Sequence, residues 1–123
     1  MENDLERTIS EISSHLDYPM FIVTASNEDE IAGCLVGFVT QCSISPARFA
    51  VWISKQNHTH RVAMESDLLT VHVVPSDAEE LARLFGEETG DEIDKFARVA
   101  WSRHRAGGVV IEGVGDWFSG SVL

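Results

Sequence analysis

Positive charge is what this chain lacks most. Its 123 residues hold nine Lys and Arg against twenty Asp and Glu, a formal net charge of −11. A surface that acidic repels phosphate backbones, which argues against nucleic acid as a partner. Cysteine is nearly absent: Cys34 and Cys42 are the two. They form no CxxC pair and have no His or Cys cluster at zinc spacing beside them, so two reduced thiols are expected rather than a disulfide framework or a metal site. His58 and His60 flank Thr59 without further ligands nearby, and metal binding is not expected there either. No apolar run reaches the roughly 18 residues of a membrane span. The acidic start, Met1 to Arg7, leads into no apolar stretch and is not read as a secretory signal. The expectation is a cytoplasmic protein without a membrane partner. A P-loop and a G-x-G-x-x-G turn are also missing, which argues against kinase-like and Rossmann chemistry. No Ser-His-Asp or Cys-His set can be assembled from residue order alone.

What is present suits one globular core. Apolar residues make up 44%, and the length falls within that of a single domain, taken as residues 1–123. Charge is unevenly placed. From Asp77 to Asp94 there are eight acidic residues and one basic residue, Arg83. From Ala32 to Ala63 there are three basic residues, Arg48, Lys55 and Arg61, and no acidic one. An anionic ligand is better accommodated in the second stretch than in the first.

Periodicity divides the chain into elements. Leu5, Ile9, Ile12 and Leu16 fall on one helical face, with Asn3 and Glu6 read as its start and Pro19 closing the region. Phe21–Ala25 and Ile31–Val39 read as a hairpin around the polar turn Asn27–Glu30. Phe49–Ser54 and Leu68–Val74 read as two more strands. Ser76 with Glu79 forms a capping box for a helix closed by Gly86, with Leu81, Leu84 and Phe85 as its buried stripe. A short helix is expected over Asp91–Phe96, started by Thr89 and Glu92. Val109–Leu123 returns to strand character, with glycines at 113, 115 and 120 marking bulges or bends. The sum is a mainly β, α+β fold. The chain stops at Ser121-Val122-Leu123 inside an apparent strand, so either further strands are missing or a second subunit covers an open edge.

Two segments could carry chemistry. In the first, an apolar strand runs through Gly37, Phe38 and Val39 into Thr40, Gln41, Cys42 and Ser43. Gly37 would let a flat ligand approach the backbone, and the polar residues offer donors and acceptors to a ring edge. An ordinary strand ending in a Ser/Pro turn is the alternative. In the second, Ser54 to Arg61, a strand hands over to a helix with Thr59 read as its N-cap. Lys55, Asn57 and Arg61 surround amides suited to phosphate. A solvated polar turn is the alternative here. Trp52, Trp101, Trp117 and Phe118 could flank an aromatic ligand or simply fill a core or an interface.

Taken together, Val36-Gly37-Phe38-Val39-Thr40-Gln41-Cys42-Ser43-Ile44-Ser45-Pro46 and Ser54-Lys55-Gln56-Asn57-His58-Thr59 resemble the flavin reductase-like family of FMN-binding split barrels. The likeness is strongest to the flavin reductase modules of diflavin flavoproteins and their stand-alone relatives. Val71-His72-Val73, Leu81 to Gly86 and Asp94-Lys95-Phe96 extend it over roughly residues 18 to 120. The resemblance implies a six-stranded antiparallel split barrel with peripheral helices and a homodimer. It implies FMN, or alternatively FAD, with NAD(P)H as co-substrate, and a hydride passed from nicotinamide to flavin. By position, Gly37, Phe38 and Val39 would run beside the flavin ring. Thr40, Gln41, Cys42 and Ser43 would lie at its polar edge or ribityl chain. Lys55, Asn57, His58 and Thr59 would lie at the phosphate end. Family members usually continue past the position of Leu123 into further strands. Two rival readings remain: a flavin carrier or sensor without catalysis, and a structural dimerisation domain.

Overall fold

A computed structural model describes residues 2–88 and 93–123. The elements run α1 (Glu2–Ser13), β1 (Phe21–Ser26), β2 (Ile31–Val36), β3 (Val39–Ile44), β4 (Ala47–Val51), α2 (His58–Met64), β5 (Leu68–Val73), α3 (Glu79–Glu87), a 3₁₀ turn (Lys95–Arg98), β6 (Trp101–Arg103), β7 (Val109–Ile111) and β8 (Trp117–Ser121). Backbone ladders join β2-β1-β5-β8 into an antiparallel sheet, and β3–β4 and β6–β7 into separate hairpins. The mainly β, α+β class with peripheral helices is therefore as expected, with eight strands among the described residues instead of six.

β1 is the axis. It pairs with β2 on one side and β5 on the other, and both of its faces are buried. Alternate residues point to opposite faces. Ile22 enters a cluster with Phe85, Phe96, Val109, Ile111 and Val114. Val23 enters another with Cys34, Val36 and Val71, against which Val39 and Val51 of the β3–β4 hairpin pack. So α3, the 3₁₀ turn and β7 cover one face, while the β3–β4 hairpin covers the other. Ala25, Ala32 and Val62 join α2 to the sheet's end.

Among the described residues, β7 pairs only with β6 in the ladders, yet it is tied to the sheet by buried side chains. Thr24 Oγ1 donates to the Val109 carbonyl at 2.6 Å. The Ile111 amide donates to His72 Nε2 at 3.0 Å, and His72 Nδ1 lies 2.9 Å from the Ile22 carbonyl. An amide can only donate, so Nε2 accepts and the ring proton sits on Nδ1. Burial holds the His72 pKa below its ordinary 6.5, against the raising effect of the Ile22 carbonyl.

Several boundaries differ from expectation, each for a local reason. α1 ends at Ser13, short of Leu16, and Asn3 lies inside it rather than capping it. The β2 strand stops at Val36, and Val39 opens a separate strand. The polar run Thr40–Ser43, with no apolar alternation to mark it, is extended by pairing with β4. β4 occupies Ala47–Val51 instead of Phe49–Ser54. Ser76 is no helix cap: Ser76 and Asp77 form a turn closed by Ala78 N–H on the Pro75 carbonyl, and α3 starts at Glu79 with no side-chain cap. Gly86 is within α3, where a Cβ would meet Leu35 Cδ2 at 2.8 Å. The expected stripe holds, with Phe85 buried and Leu81 and Leu84 packed on its cluster. β6 carries no apolar alternation and was not expected. Val109–Leu123 divides into β7 and β8 at Gly113 and Gly115, whose φ angles are +82° and +96°, a region L-residues avoid. The proposed helix start at Thr89 and Glu92 lies outside the described residues.

The His72 staple has a pH signature. A neutral imidazole with a lowered folded pKa means the unfolded chain binds the extra proton first. Its stabilisation is present above about pH 6.5 and is lost as pH falls below it, by at most about 1.4 kcal/mol per pH unit for one proton. Urea titrations of wild type and His72→Gln between pH 7.5 and 5.5 measure this as a difference in slope. Parallel slopes would contradict the assignment.

Candidate functional site

The β3–β4 hairpin and the loop into α2 bring most of the sequence candidates together. Val39 pairs with Val51, Thr40 with Ala50, Gln41 with Phe49 and Ser43 with Arg48, with an irregularity at Cys42. The Trp52 amide donates to the Phe38 carbonyl at 3.1 Å. The Gly37 end of β3 therefore lies beside the end of β4 from which Ser54–Asn57 departs. Thr40, Gln41 and Cys42 are exposed and Ser43 is half-buried. Phe38 is exposed and meets Tyr18 edge-on, with centroids 6.2 Å apart. A Cβ built on Gly37 would meet only Met20 Cε and Sδ at 3.7 Å, which is ordinary contact. The chain's own packing does not require glycine there.

The α2 start differs from expectation in a specific way. Asn57, not Thr59, is the N-cap: its Oδ1 accepts the Thr59 amide at 2.9 Å. Asn57 suits this role because its short carbonyl reaches the amide two residues on. Thr59 is 1% exposed, and its hydroxyl bonds the Cys34 thiol. Burial pushes that thiol up, opposed by Thr59 and by the charge of Lys95. His58 turns toward the β1–β2 turn. Its Nε2 lies 3.1 Å from Glu30 Oε2, and Arg61 Nη2 sits 2.8 Å from Nδ1. Arg61 also reaches Glu30 at 3.5 Å. The acid-free stretch thus receives a carboxylate at its Arg61 end, from Glu30 just before it in the chain. Arg48 and Lys55 have no carboxylate within 4.0 Å among the described residues, and Lys55 is exposed. Of the sequence candidates, Gly37–Ser43 lie on or just before β3, with Val39 turned into the core, and Lys55 and Asn57 lie on the loop that leaves the adjoining end of β4, while Thr59 is buried behind that loop.

Two further constellations escaped the sequence. Lys95 is buried, and its Nζ donates to the carbonyls of Gly33 at 3.1 Å and Phe85 at 3.2 Å. Burial pushes its pKa down, against the raising effects of Cys34 and Glu88. With His58, Glu30 and Asp94 it lines a cleft of about 430 Å³. The signal was the Asp94-Lys95-Phe96 run, where Asp94 caps the 3₁₀ turn through the Phe96 amide. The second is His104, with Nε2 2.7 Å from Ser119 Oγ. This pair is not a nucleophile with its base. The Ala106 amide donates to His104 Nδ1 at 3.1 Å, so Nε2 carries the proton and cannot take one from Ser119. Ser119 continues to Thr70 Oγ1 at 2.6 Å, which makes the group a strut between β5, β8 and the β6–β7 hairpin.

The family model for the flavin reductase-like domain matches residues 13–123. The chain belongs to the flavin reductase-like domain family. It is 31% identical over 93 residues to a high molecular weight rubredoxin of Moorella thermoacetica, covering 75% of this chain and 41% of that one. It is 28% identical over 93 residues to a ferric-chelate reductase (NAD(P)H) of Archaeoglobus fulgidus, covering 75% of this chain and 55% of that one. The chain therefore spans about half the length of these two relatives. The fold is shared with an FMN-binding protein from Thermus thermophilus at a TM-score of 0.82 and 21% identity, over 89% of this chain and 61% of that one. It is shared with an NADH:FAD oxidoreductase from Streptomyces globisporus at 0.83 and 20%, over 94% and 68%. Among the described residues, no helix is long and apolar enough to cross a membrane.

Two substitutions test the local architecture. Lys95→Met strands two buried carbonyls and is expected to lower unfolding free energy by about 2–4 kcal/mol. Asn57→Ala removes the α2 cap and should cost about 1 kcal/mol, with Asn57→Asp retaining most of it. Urea denaturation followed by circular dichroism measures both. Wild-type stability in Lys95→Met would contradict the assigned bonds.

Proposed function

We propose that residues 1–123 act as one flavin-dependent oxidoreductase domain, binding FMN in preference to FAD and using NADH or NADPH as electron donor. We further read its working form as a cytoplasmic homodimer. The observation that carries this is a conjunction on one hairpin of a chain from the flavin reductase-like family. β3 is exposed and polar, Gly37 is a glycine the fold does not need, and Lys55 on the adjoining loop has no carboxylate partner among the described residues.

These residues fit such a ligand in shape and charge. Gly37 leaves the flank of the chain open to a flat ring, with Phe38 and Val39 continuing that edge. Thr40, Gln41 and Ser43 supply donors and acceptors for polar ring atoms and hydroxyls, and Cys42 adds a small polarizable neighbour. Lys55 and the side-chain amide nitrogen of Asn57 supply charge and a donor to a phosphate. From residue 31 to residue 64 no carboxylate is present to oppose that phosphate. His58 and Thr59 act indirectly, by holding the loop against Glu30 and Cys34.

When bound, a flavin supplies the redox chemistry, accepting hydride from reduced nicotinamide and passing electrons to an acceptor. The chain's part is to bind and orient it and to set the field around it. No side chain needs to act as an acid or base.

Anaerobic mixing of the protein with FMN and NADH, then NADPH, is expected to bleach the flavin band. Binding without bleaching would reject the reductase reading and leave the carrier or sensor reading. Gly37→Val should weaken FMN affinity at least tenfold at an unchanged melting temperature, since only Met20 neighbours the new side chain. Lys55→Glu should weaken it by about tenfold, equivalent to about 1.4 kcal/mol. Wild-type affinity in both would place the ligand elsewhere.

A further inference from the structure

Among the described residues, nothing covers the apolar stripe of α1. Every described side chain from Asn3 to Ile12 is exposed. Leu5, Ile9, Ile12 and Leu16 are 61%, 53%, 60% and 54% exposed. Leu5, Ile9 and Ile12 form a periodic stripe on α1, with Leu16 three residues past its end; this is core-forming material, and leaving it in water is costly. The polar side of the helix identifies its partner class. Between residues 2 and 13 there are four acidic residues, Glu2, Asp4, Glu6 and Glu11, and one basic residue, Arg7, which pairs with Asp4. Helices that lie on membranes carry Lys and Arg on that side. This one suits an apolar surface edged with positive charge.

The β3–β4 hairpin is such a surface. A two-stranded hairpin is marginal alone, and here Phe49 and Trp52, which the flavin reading does not use, are 42% and 58% exposed. Arg48 lines a groove of about 670 Å³ between this hairpin and β5–β8 and lies in the acid-free stretch. Residues 95–111 are also acid-free, but the large apolar side chains exposed on or against them are Trp101 and Trp117, the latter already stacked on His104, too little to receive four aliphatic residues. Elsewhere a chain of net charge −11 repels a second copy of itself. Among the described residues, α1 and this hairpin complement each other in both charge and hydrophobicity.

We infer that α1 is an exchange arm: in the homodimer, on whose existence this inference rests, the stripe of each chain seats on the β3–β4 hairpin of its partner around Arg48 and Trp52. The contact is reciprocal, so each dimer contains two equal arm-to-hairpin junctions.

Sedimentation without flavin tests the inference separately from cofactor binding. Wild type is expected at twice the mass of one chain. Ile9→Glu/Ile12→Glu should sediment as a monomer with an unchanged melting temperature, because α1 does not support the body of the fold. Arg48→Glu/Trp52→Glu should also be monomeric. Mixing the two variants should restore a dimer at concentrations where each alone is monomeric, since one junction of the pair is then intact. A monomeric wild type, or a dimer unaffected by the arm substitutions, would overturn the exchange arm. Failure of the mixture to associate would also overturn it, by pointing to pairing of one α1 with the other. So would α1-dependent binding of wild type to phosphatidylcholine vesicles, by assigning the stripe to lipid. Loss of flavin binding with the dimer intact would count against the flavin site alone.

Discussion

A single uncharged ring fastens the two layers on one side of the sheet. β7 cannot reach the sheet through a ladder, because its ladder partner is β6. Its buried amide at Ile111 still needs an acceptor, and His72 Nε2 provides one while Nδ1 holds the Ile22 carbonyl. An aliphatic residue at position 72 would leave the Ile111 amide without this acceptor in the core. Thr24 performs the same task one step along, for the Val109 carbonyl. Polar residues on the buried face of β1 and β5 are therefore connectors between strands that cannot pair directly.

With that face closed, the opposite face is free to carry function. The sheet supports the β3–β4 hairpin through Val39 and Val51, while the outward residues of β3 remain in water. The loop into α2 is fixed from three sides: by the Asn57 cap, by Thr59 on Cys34, and by His58 and Arg61 on Glu30. A ligand at Gly37–Ser43 would thus meet a rigid edge, with Arg48 and Lys55 as long flexible charges beside it. Preorganisation of this kind lowers the ordering cost of binding.

The sequence made the periodic parts of this fold legible. The β1–β2 hairpin, β5 and the stripe of α3 declared themselves through alternation or helical spacing. β3 and β6 did not, since Thr40–Ser43 and Trp101–Arg103 become strands by pairing and not by apolar pattern. Ser76 and Glu79 matched a capping box, but Pro75 and the turn after it prevailed over the local signal. At the site, the segments could be read from residue type and from resemblance. The division of labour between Asn57 and Thr59 could not, because which of two adjacent polar residues faces inward depends on Cys34, a partner 25 positions away in the chain. Lys95 was invisible as a buried group for the same reason: its acceptors are carbonyls from β2 and α3, and carbonyls leave no trace in a sequence.

The burial of Cys34 gives the two thiols different access to the outside. Cys42 lies open on β3, whereas Cys34 sits between sheet and helix with the Thr59 hydroxyl against it. A thiol reagent in solution meets the first on every encounter and the second only when β2 and α2 part. The fold therefore carries an internal clock: modification of Cys34 counts openings of the sheet's edge, and Cys42 in the same molecule supplies the zero of time.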